Sequence, residues 1–261
     1  MPVYAECISP DTFSEKSLEE ISALTLWMGN KQRTLGELFN IKREDDNDTE
    51  SITIRIFGDL SKVRRIGAKM TDGKIFIEDD VGMHLGEMMK GGEITVKGNA
   101  DSWAGCMMEG GRIEIFGSAG DYVGAPYRGS TQGMKNGTII IHGNAGNDLG
   151  CHMRSGFIEV EGNVGEFAGV NMKDGTILIQ EDCKGRAGAF MLNGRIIICG
   201  YIPSVLPTFT IDGIRQDIKI DGERIAGPFY RFIGDITEGG EGKLFIKKER
   251  NPHLESYEKY L

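Results

Sequence analysis

The chain lacks any uninterrupted hydrophobic run near the ~18 residues that a membrane-crossing helix needs. Cysteine is sparse. Cys7, Cys106, Cys151, Cys183 and Cys199 are odd in number and include no CxxC, which leaves no basis for a disulfide framework or a cysteine zinc knuckle. The four histidines, His84, His142, His152 and His253, show neither HxxxH nor HExxH spacing. Positive charge is in deficit. With 30 Lys and Arg against 39 Asp and Glu the formal net charge is −9, which removes any chain-wide attraction to nucleic acid or an anionic membrane. Met1 to Phe13 lack the basic-then-apolar order of a leader, so the cytoplasm is the expected compartment. There is no Gly-x-x-x-x-Gly-Lys-Ser/Thr phosphate loop and no Gly-x-Ser-x-Gly nucleophile elbow. No carboxylate pair stands out by register as a glycoside-cleaving couple. On residues alone the chain reads as a scaffold and not as an enzyme.

What is abundant is glycine: 38 of 261 residues, about twice the usual share of ~7%, beside only 7 prolines. Gly73, Gly92, Gly111, Gly137, Gly156, Gly175 and Gly194 are separated by 19, 19, 26, 19, 19 and 19 residues. The long interval is one unit plus a 7-residue insertion. A fixed period of this kind is the mark of a solenoid, in which each unit repeats one supersecondary element and stacks on its neighbours.

Each marker glycine is followed at two and four residues by a β-branched pair, from Ile75/Ile77 to Ile196/Ile198, with Ile54/Ile56 opening an earlier unit. Alternation with period two puts both members of a pair on one strand face. A polar corner follows (Asp59, Asp80, Asn99, Ser118, Asn144, Asn163, Asp182), suited to tight turns. Methionine stands three residues before every marker glycine, which reads as adaptable core filler. Cys106 and Cys151 share a register with Ala125, Val170 and Ala189, although Glu87 holds it in one coil; that company makes the thiols small hydrophobes. One period-two strand per unit with several glycine corners, and no 3.6-residue periodicity, points to an all-β, single-stranded parallel β-helix. At ~4.8 Å per coil, about eight coils make a rod roughly 38 Å long.

Function is sought where the repeat breaks. The insertion Ala125–Gly133 carries Tyr127 and Arg128, residue types enriched at binding hot spots; a loop without a partner is the alternative. One turn register holds His84, Trp103, Tyr122, Asp148, Phe167 and Arg186. Either these aromatics face outward as an interface stripe or they tuck against adjacent corners. On the outer strand face Phe76, Ile140, Leu178 and Ile197 alternate with charged residues and need a cover, from the chain's own flanks or from another subunit. Tyr127, Arg128, Trp103, Tyr122, Phe167, Ile140 and Leu178 are therefore the candidate subunit-interface residues.

The flanks do not repeat. Residues 1–50 form an N-terminal flank in which Ser17 and Glu20 fit a capping box, predicting a helix over Leu18 to Leu26 and then a turn at Gly29-Asn30. The acidic run Arg43 to Glu50 reads as a linker into the β-helix of residues 51–202. Pro203 and Pro207 are expected to stop the strand ladder, and residues 203–261 to form a capping extension with strand-like alternation at Phe209–Ile220 and Lys243–Lys248.

The unit Gly143-Asn-Ala-Gly-Asn-Asp-Leu-Gly-Cys-His-Met-Arg-Ser-Gly156 resembles the β-helical domain at the C-terminus of the glutamate synthase large subunit. The flanks narrow this. Leu26-Trp-Met-Gly-Asn-Lys-Gln-Arg-Thr-Leu-Gly-Glu-Leu-Phe39, Pro207-Thr-Phe-Thr-Ile-Asp-Gly213 and Gly227-Pro-Phe-Tyr-Arg-Phe-Ile-Gly-Asp235 resemble the C subunit of formylmethanofuran dehydrogenase over nearly the whole chain. The resemblance implies a right-handed β-helix in a cytoplasmic complex of methanogenic archaea. In that family a tungsten or molybdenum pterin subunit reduces carbon dioxide to formate. An amidohydrolase-like subunit with a binuclear metal site condenses formate with methanofuran, and iron–sulfur subunits deliver electrons from their clusters. The resemblance implies no cofactor and no catalytic residue in the C subunit itself, only a scaffold role. Two alternatives keep the fold: the C subunit of the bacterial formyltransferase/hydrolase complex, and a stand-alone β-helix enzyme or carbohydrate-binding protein.

Overall fold

The computed structural model describes residues 1–44, 51–220 and 222–261. Residues 45–50, most of the acidic run, lie outside them. The strands Thr53–Ile56, Lys74–Ile77, Glu93–Val96, Arg112–Ile115, Thr138–Ile141, Phe157–Val160, Thr176–Ile179 and Arg195–Ile198 pair in parallel, each with its neighbour one coil away. The result is a β-solenoid of about eight turns. Register is unshifted, so Ile75, Ile94, Ile113, Ile139, Ile158, Ile177 and Ile196 form one buried column down the axis. The methionines Met70, Met89, Met108, Met134, Met153, Met172 and Met191 form another, each fully buried. A second ladder of single parallel bridges joins Leu60, Val81, Ala100, Ala119, Ala145 and Val164.

The polar corners do more than turn. The side-chain oxygen in one coil accepts the backbone N–H of the next: Asp80 from Asn99 (2.7 Å), Asn99 from Ser118 (2.8 Å), Asn144 from Asn163 (2.8 Å) and Asp182 from Tyr201 (2.7 Å). The corner is thus a side-chain ladder that satisfies the donors a bend would strand. Glycine precedes the corner at Asn99, Ser118, Asn144 and Asn163; at Gly117, for one, a Cβ would sit 2.5 Å from the Gly98 carbonyl oxygen of the coil below.

Both open ends are closed by the flanks, as unpaired strand edges require. At the start, the strand Val3–Tyr4 pairs in parallel with Val63–Arg64, and Asp11 accepts from the Thr71 N–H (3.0 Å) and hydroxyl. The capping box on Ser17 and Glu20 forms, but the helix spans only Leu18–Ser22. Leu26 instead lies buried in the strand Thr25–Met28, which turns at Gly29-Asn30 into Lys31–Thr34. At the far end the parallel ladder resumes beyond Pro203 and Pro207: Gly242–Lys247 pairs with Arg195–Ile198. The long antiparallel strands Thr210–Ile220 and Glu223–Gly234 then extend the sheet to 11 strands. Asn251 is fully buried there, accepting from the Ile202 N–H (2.9 Å) and donating to the Gly200 (2.9 Å) and Lys247 (2.8 Å) carbonyls.

Candidate docking face

The third side of each coil is neither strand nor helix. It is built from left-handed backbone: His84, Trp103, Tyr122, Asp148, Phe167 and Arg186 have φ between +56° and +65°. Four residues on, Met88, Met107, His152, Asn171 and Phe190 repeat it at +53° to +59°, with a positive-φ glycine between each pair. The N–H of His84 reaches the Ser102 carbonyl of the next coil (3.1 Å), that of Gly86 the Ile66 carbonyl of the previous one (2.9 Å), and that of Met88 the Cys106 carbonyl of the next (2.8 Å). The segment therefore hydrogen-bonds to the coils on both sides without β geometry. Left-handed backbone costs an L-residue about 1–2 kcal/mol, and the stacking offsets it.

This geometry aligns the variable register. Trp103 stacks on His84 at 5.4 Å and on Tyr122 at 4.6 Å, with ring planes within 14°. Asp148 ends that run, and Phe167 begins a second one under the Arg186 guanidinium (5.1 Å). The rings are half-buried, so each tucks against its neighbours while one edge faces solvent.

The insertion begins where the left-handed pattern becomes impossible. Pro126 stands at the register of Met88, Met107 and His152, and its ring fixes φ near −65°. The chain leaves the coil there and returns at Gly133, whose N–H donates to the His152 carbonyl (3.1 Å). The loop does not stand free. Tyr127 folds back over two coils, its ring 5.3 Å from His84 and its hydroxyl accepting from the Arg65 guanidinium at 2.9 Å. Arg128 at the tip is exposed. The loop thus separates the two residues that the sequence put forward together: Tyr127 holds it down and Arg128 presents outward.

Arg65, which holds Tyr127, is itself paired with a buried carboxylate whose part the register alone did not show. Glu87 is 5% exposed, lies 3.1 Å from Arg65 Nε and 3.6 Å from His84 Nδ1. Arg65 also pairs with Glu6 of the N-terminal flank. Burial first, and the adjacent Glu87 second, push the Tyr127 phenol well above its usual pKa, so it remains a neutral donor. Burial lowers His84, with Glu87 opposing and Arg65 reinforcing the shift. The available signal was that Glu87 is the polar member of the register that holds Ala68, Cys106, Ala125, Cys151, Val170 and Ala189. The thiols there are inert, since burial raises Cys106 to about 12 and Cys151 to about 11.

The remaining candidates lie on the strand face. Ile140 is half-buried between Glu114 and Glu159 of the neighbouring strands. Leu178 is not surface at all. It is 4% exposed beneath the chain's own C-terminal hairpin, packed with Ile197, Ile218, Ile220, Phe229 and Phe245. Its cover is therefore internal, because the hairpin curls over the outer face of the last rungs; the Arg195 guanidinium donates to the Lys219 carbonyl at 3.1 Å. On the same strand face His142 bridges two carboxylates, Glu114 (3.0 Å) and Glu161 (2.9 Å), beneath the half-exposed Phe116. Among the described residues no group of three or more His, Cys, Asp or Glu side chains is placed to hold a metal ion. Among them, too, no helix is long and apolar enough to cross a membrane.

Comparison with known proteins places this architecture. No family model matches the chain. The C subunit of the tungsten-containing formylmethanofuran dehydrogenase 2 of Methanococcus maripaludis is 51% identical over 261 residues, covering 97% of this chain and 95% of that protein. Its counterpart of the same description from Methanothermobacter thermautotrophicus is 47% identical over 256 residues, covering 98% and 95%. Among solved structures, a chain of the formyltransferase/hydrolase complex from Methylorubrum extorquens in complex with methylofuran superposes with a TM-score of 0.83 at 31% identity, covering 94% of this chain and 95% of that one. Identity of this level over nearly the full length of both partners goes beyond a shared solenoid: the chain belongs to the family of formylmethanofuran dehydrogenase C subunits.

Proposed function

We propose that this chain is the scaffold subunit of a tungsten- or molybdenum-dependent formylmethanofuran dehydrogenase, an oxidoreductase complex of the cytoplasm that reduces carbon dioxide to formate and condenses it with methanofuran. The full-length identity to the archaeal relatives carries this reading. The higher identity to those proteins than to the bacterial chain favours it over the formyltransferase/hydrolase alternative. Residues 51–202 act as the rigid body, and residues 1–50 and 203–261 as its caps. The docking surface is the left-handed face, with the His84–Trp103–Tyr122 stack, Phe167 and Arg128 as anchors; exposed ring edges and a projecting guanidinium are suited to that work. Ile140 on the strand face is a second contact point.

The tungsten or molybdenum centre does not fit this chain's own residues. The thiols of Cys106, Cys151, Cys183 and Cys199 are held protonated by burial and sit in different coils. This supports assigning the pterin, the binuclear site and the iron–sulfur clusters to the catalytic, amidohydrolase-like and electron-carrying partners. The chain's contribution is then geometric: stacked coils allow little rearrangement, so partners bound along one face keep a fixed spacing. Purification of the complex through a tag on this chain, followed by metal analysis, tests the reading. Co-purifying large subunits that carry all the tungsten or molybdenum are expected. A metal-free monomer from native extract would contradict it.

A further inference from the structure

The residue after each buried methionine defines a register of its own: Thr71, Lys90, Glu109, Lys135, Arg154, Lys173 and Leu192. Their N–H groups donate to the methionine carbonyls one coil back, Lys135 to Met108 (2.7 Å), Arg154 to Met134 (2.8 Å) and Lys173 to Met153 (2.7 Å), so the side chains rise one above another. The two ends are occupied by the flanks: Thr71 is bonded to Asp11, and the Leu192 carbonyl accepts from the Glu241 N–H (2.8 Å). The middle is left open, and it is basic on a chain whose net charge is −9.

Like charges about 4.8 Å apart repel one another unless anions lie between them. Lys135 has one, Glu109 at 2.6 Å. Among the described residues Arg154, Lys173 and Lys90 form no ion pair; the neighbouring Asp174 carboxylate accepts from the Gly175 N–H (2.8 Å) and pairs with none of them. Two nitrogens of the same cluster are buried without a hydrogen-bond partner, the Arg154 Nε–H donor and the His152 Nδ1 ring atom. After burial itself, Lys173 and Arg154 are what depress His152, which places all three in one electrostatic field. A guanidinium whose Nε–H is buried without an acceptor, beside lysines that form no ion pair, is an incomplete anion site.

We propose that this ladder is a docking rail for an extended acidic segment of a partner subunit, whose carboxylates complete Arg154 and Lys173 beside the Lys135–Glu109 pair. The rail rests on the scaffold reading and adds the chemistry of what is held. Lys135 to Lys173 spans two coil rises, about 10 Å, and alternate side chains of an extended chain are about 7 Å apart. Asp or Glu at alternate positions, running along the rod, therefore sets two carboxylates among three cations. The rail borders the insertion, whose return residue Gly133 shares the His152 backbone.

The test is salt-induced dissociation of the reconstituted complex, comparing wild type with Arg154→Gln/Lys173→Gln, and with Lys173→Gln alone should the half-buried Arg154 prove structural. The double variant is expected to bind its partner about ten-fold or more weakly at low salt and to show a flatter salt dependence, since desolvated charge pairs dominate such contacts. Lys243→Gln, on the strand side, serves as the control and should change neither. An unchanged salt midpoint in the double variant overturns the rail while leaving the scaffold reading intact. Failure of the wild-type chain to assemble overturns both. If inorganic phosphate stabilises the isolated chain, the effect is lost in the variant and partner binding is unchanged, the site belongs to a free anion and the assignment to a partner segment is wrong.

Discussion

Replacing Glu87 by alanine tests whether a buried ion pair ties the insertion to the first coils. Ala68, Ala125 and Ala189 occupy the same register elsewhere, so the smaller side chain fits without strain. What is lost is electrostatic. At 3.1 Å and an effective dielectric of about 20, the Arg65–Glu87 attraction is about 5 kcal/mol before desolvation. Burying Glu87, whose side chain is 7% exposed, offsets much of that. Removing one partner of a fully buried pair costs about 3–5 kcal/mol. Arg65 is 30% exposed and keeps Glu6, so it can rehydrate, and the loss should fall to about 2 kcal/mol. That corresponds to roughly a 30-fold shift in a local opening equilibrium. Trypsin reads it directly: cleavage after Arg128 yields fragments 1–128 and 129–261, and its rate should rise by that factor while the distant C-terminal coils stay protected. Arg65→Met/Glu87→Ala should recover part of the lost melting temperature, because no buried charge is left unpaired, but not the protection at Arg128, because it also removes the Arg65 bond to Tyr127. An alanine variant with wild-type cleavage and melting temperature would show that the ion pair does not hold the loop.

Three further outcomes follow from separate features. Gly105→Ala, at φ +64° with the new Cβ 2.4 Å from Ile139 Cδ1, should cost about 2–4 kcal/mol, against about 1–2 for Gly58→Ala, whose Cβ meets nothing within 4 Å; equal melting temperatures would contradict this. Leu178→Ala should cost about 2–3 kcal/mol because the hairpin covers it, and Ile140→Ala less than ~1, measured by denaturant unfolding; a neutral Leu178 variant would mean that the hairpin does not pack there. Desolvation lowers the proton affinity of His142, but Glu114 and Glu161 more than reverse it and leave its pKa raised. Its contribution to stability is therefore complete below the unfolded value of about 6.5 and fades as pH climbs through the raised folded value. The melting-temperature gap between wild type and His142→Gln should shrink as pH rises above about 6.5; a gap that widens would reverse the assignment.

The coil was legible because its constraints act on side chains. Ile75, Met89 and Leu85 recur in kind since each fills the same buried slot, and Gly117 recurs since a Cβ would strike the coil below. The left-handed face was legible only in part. His84, Trp103, Tyr122, Asp148, Phe167 and Arg186 share no chemistry, because what they share is a positive φ, and a left-handed register ordinarily announces itself with glycine or asparagine. Pro126 marked where the chain must leave the coil, but the inward fold of Tyr127 depended on Arg65 and Glu87, both far away in sequence. The prolines at 203 and 207 interrupt the ladder locally, as proline must, and nothing local indicated that Gly242–Lys247 would return to extend it.

Whether partners dock on the left-handed face is settled by lysine acetylation footprinting of the isolated chain and of the assembled complex. Lys90, Lys135 and Lys173, which border that face, should become protected on assembly, and more strongly than Lys74 and Lys97 on the strand side. Identical footprints in the two states, or protection confined to the strand side, would contradict docking on that face.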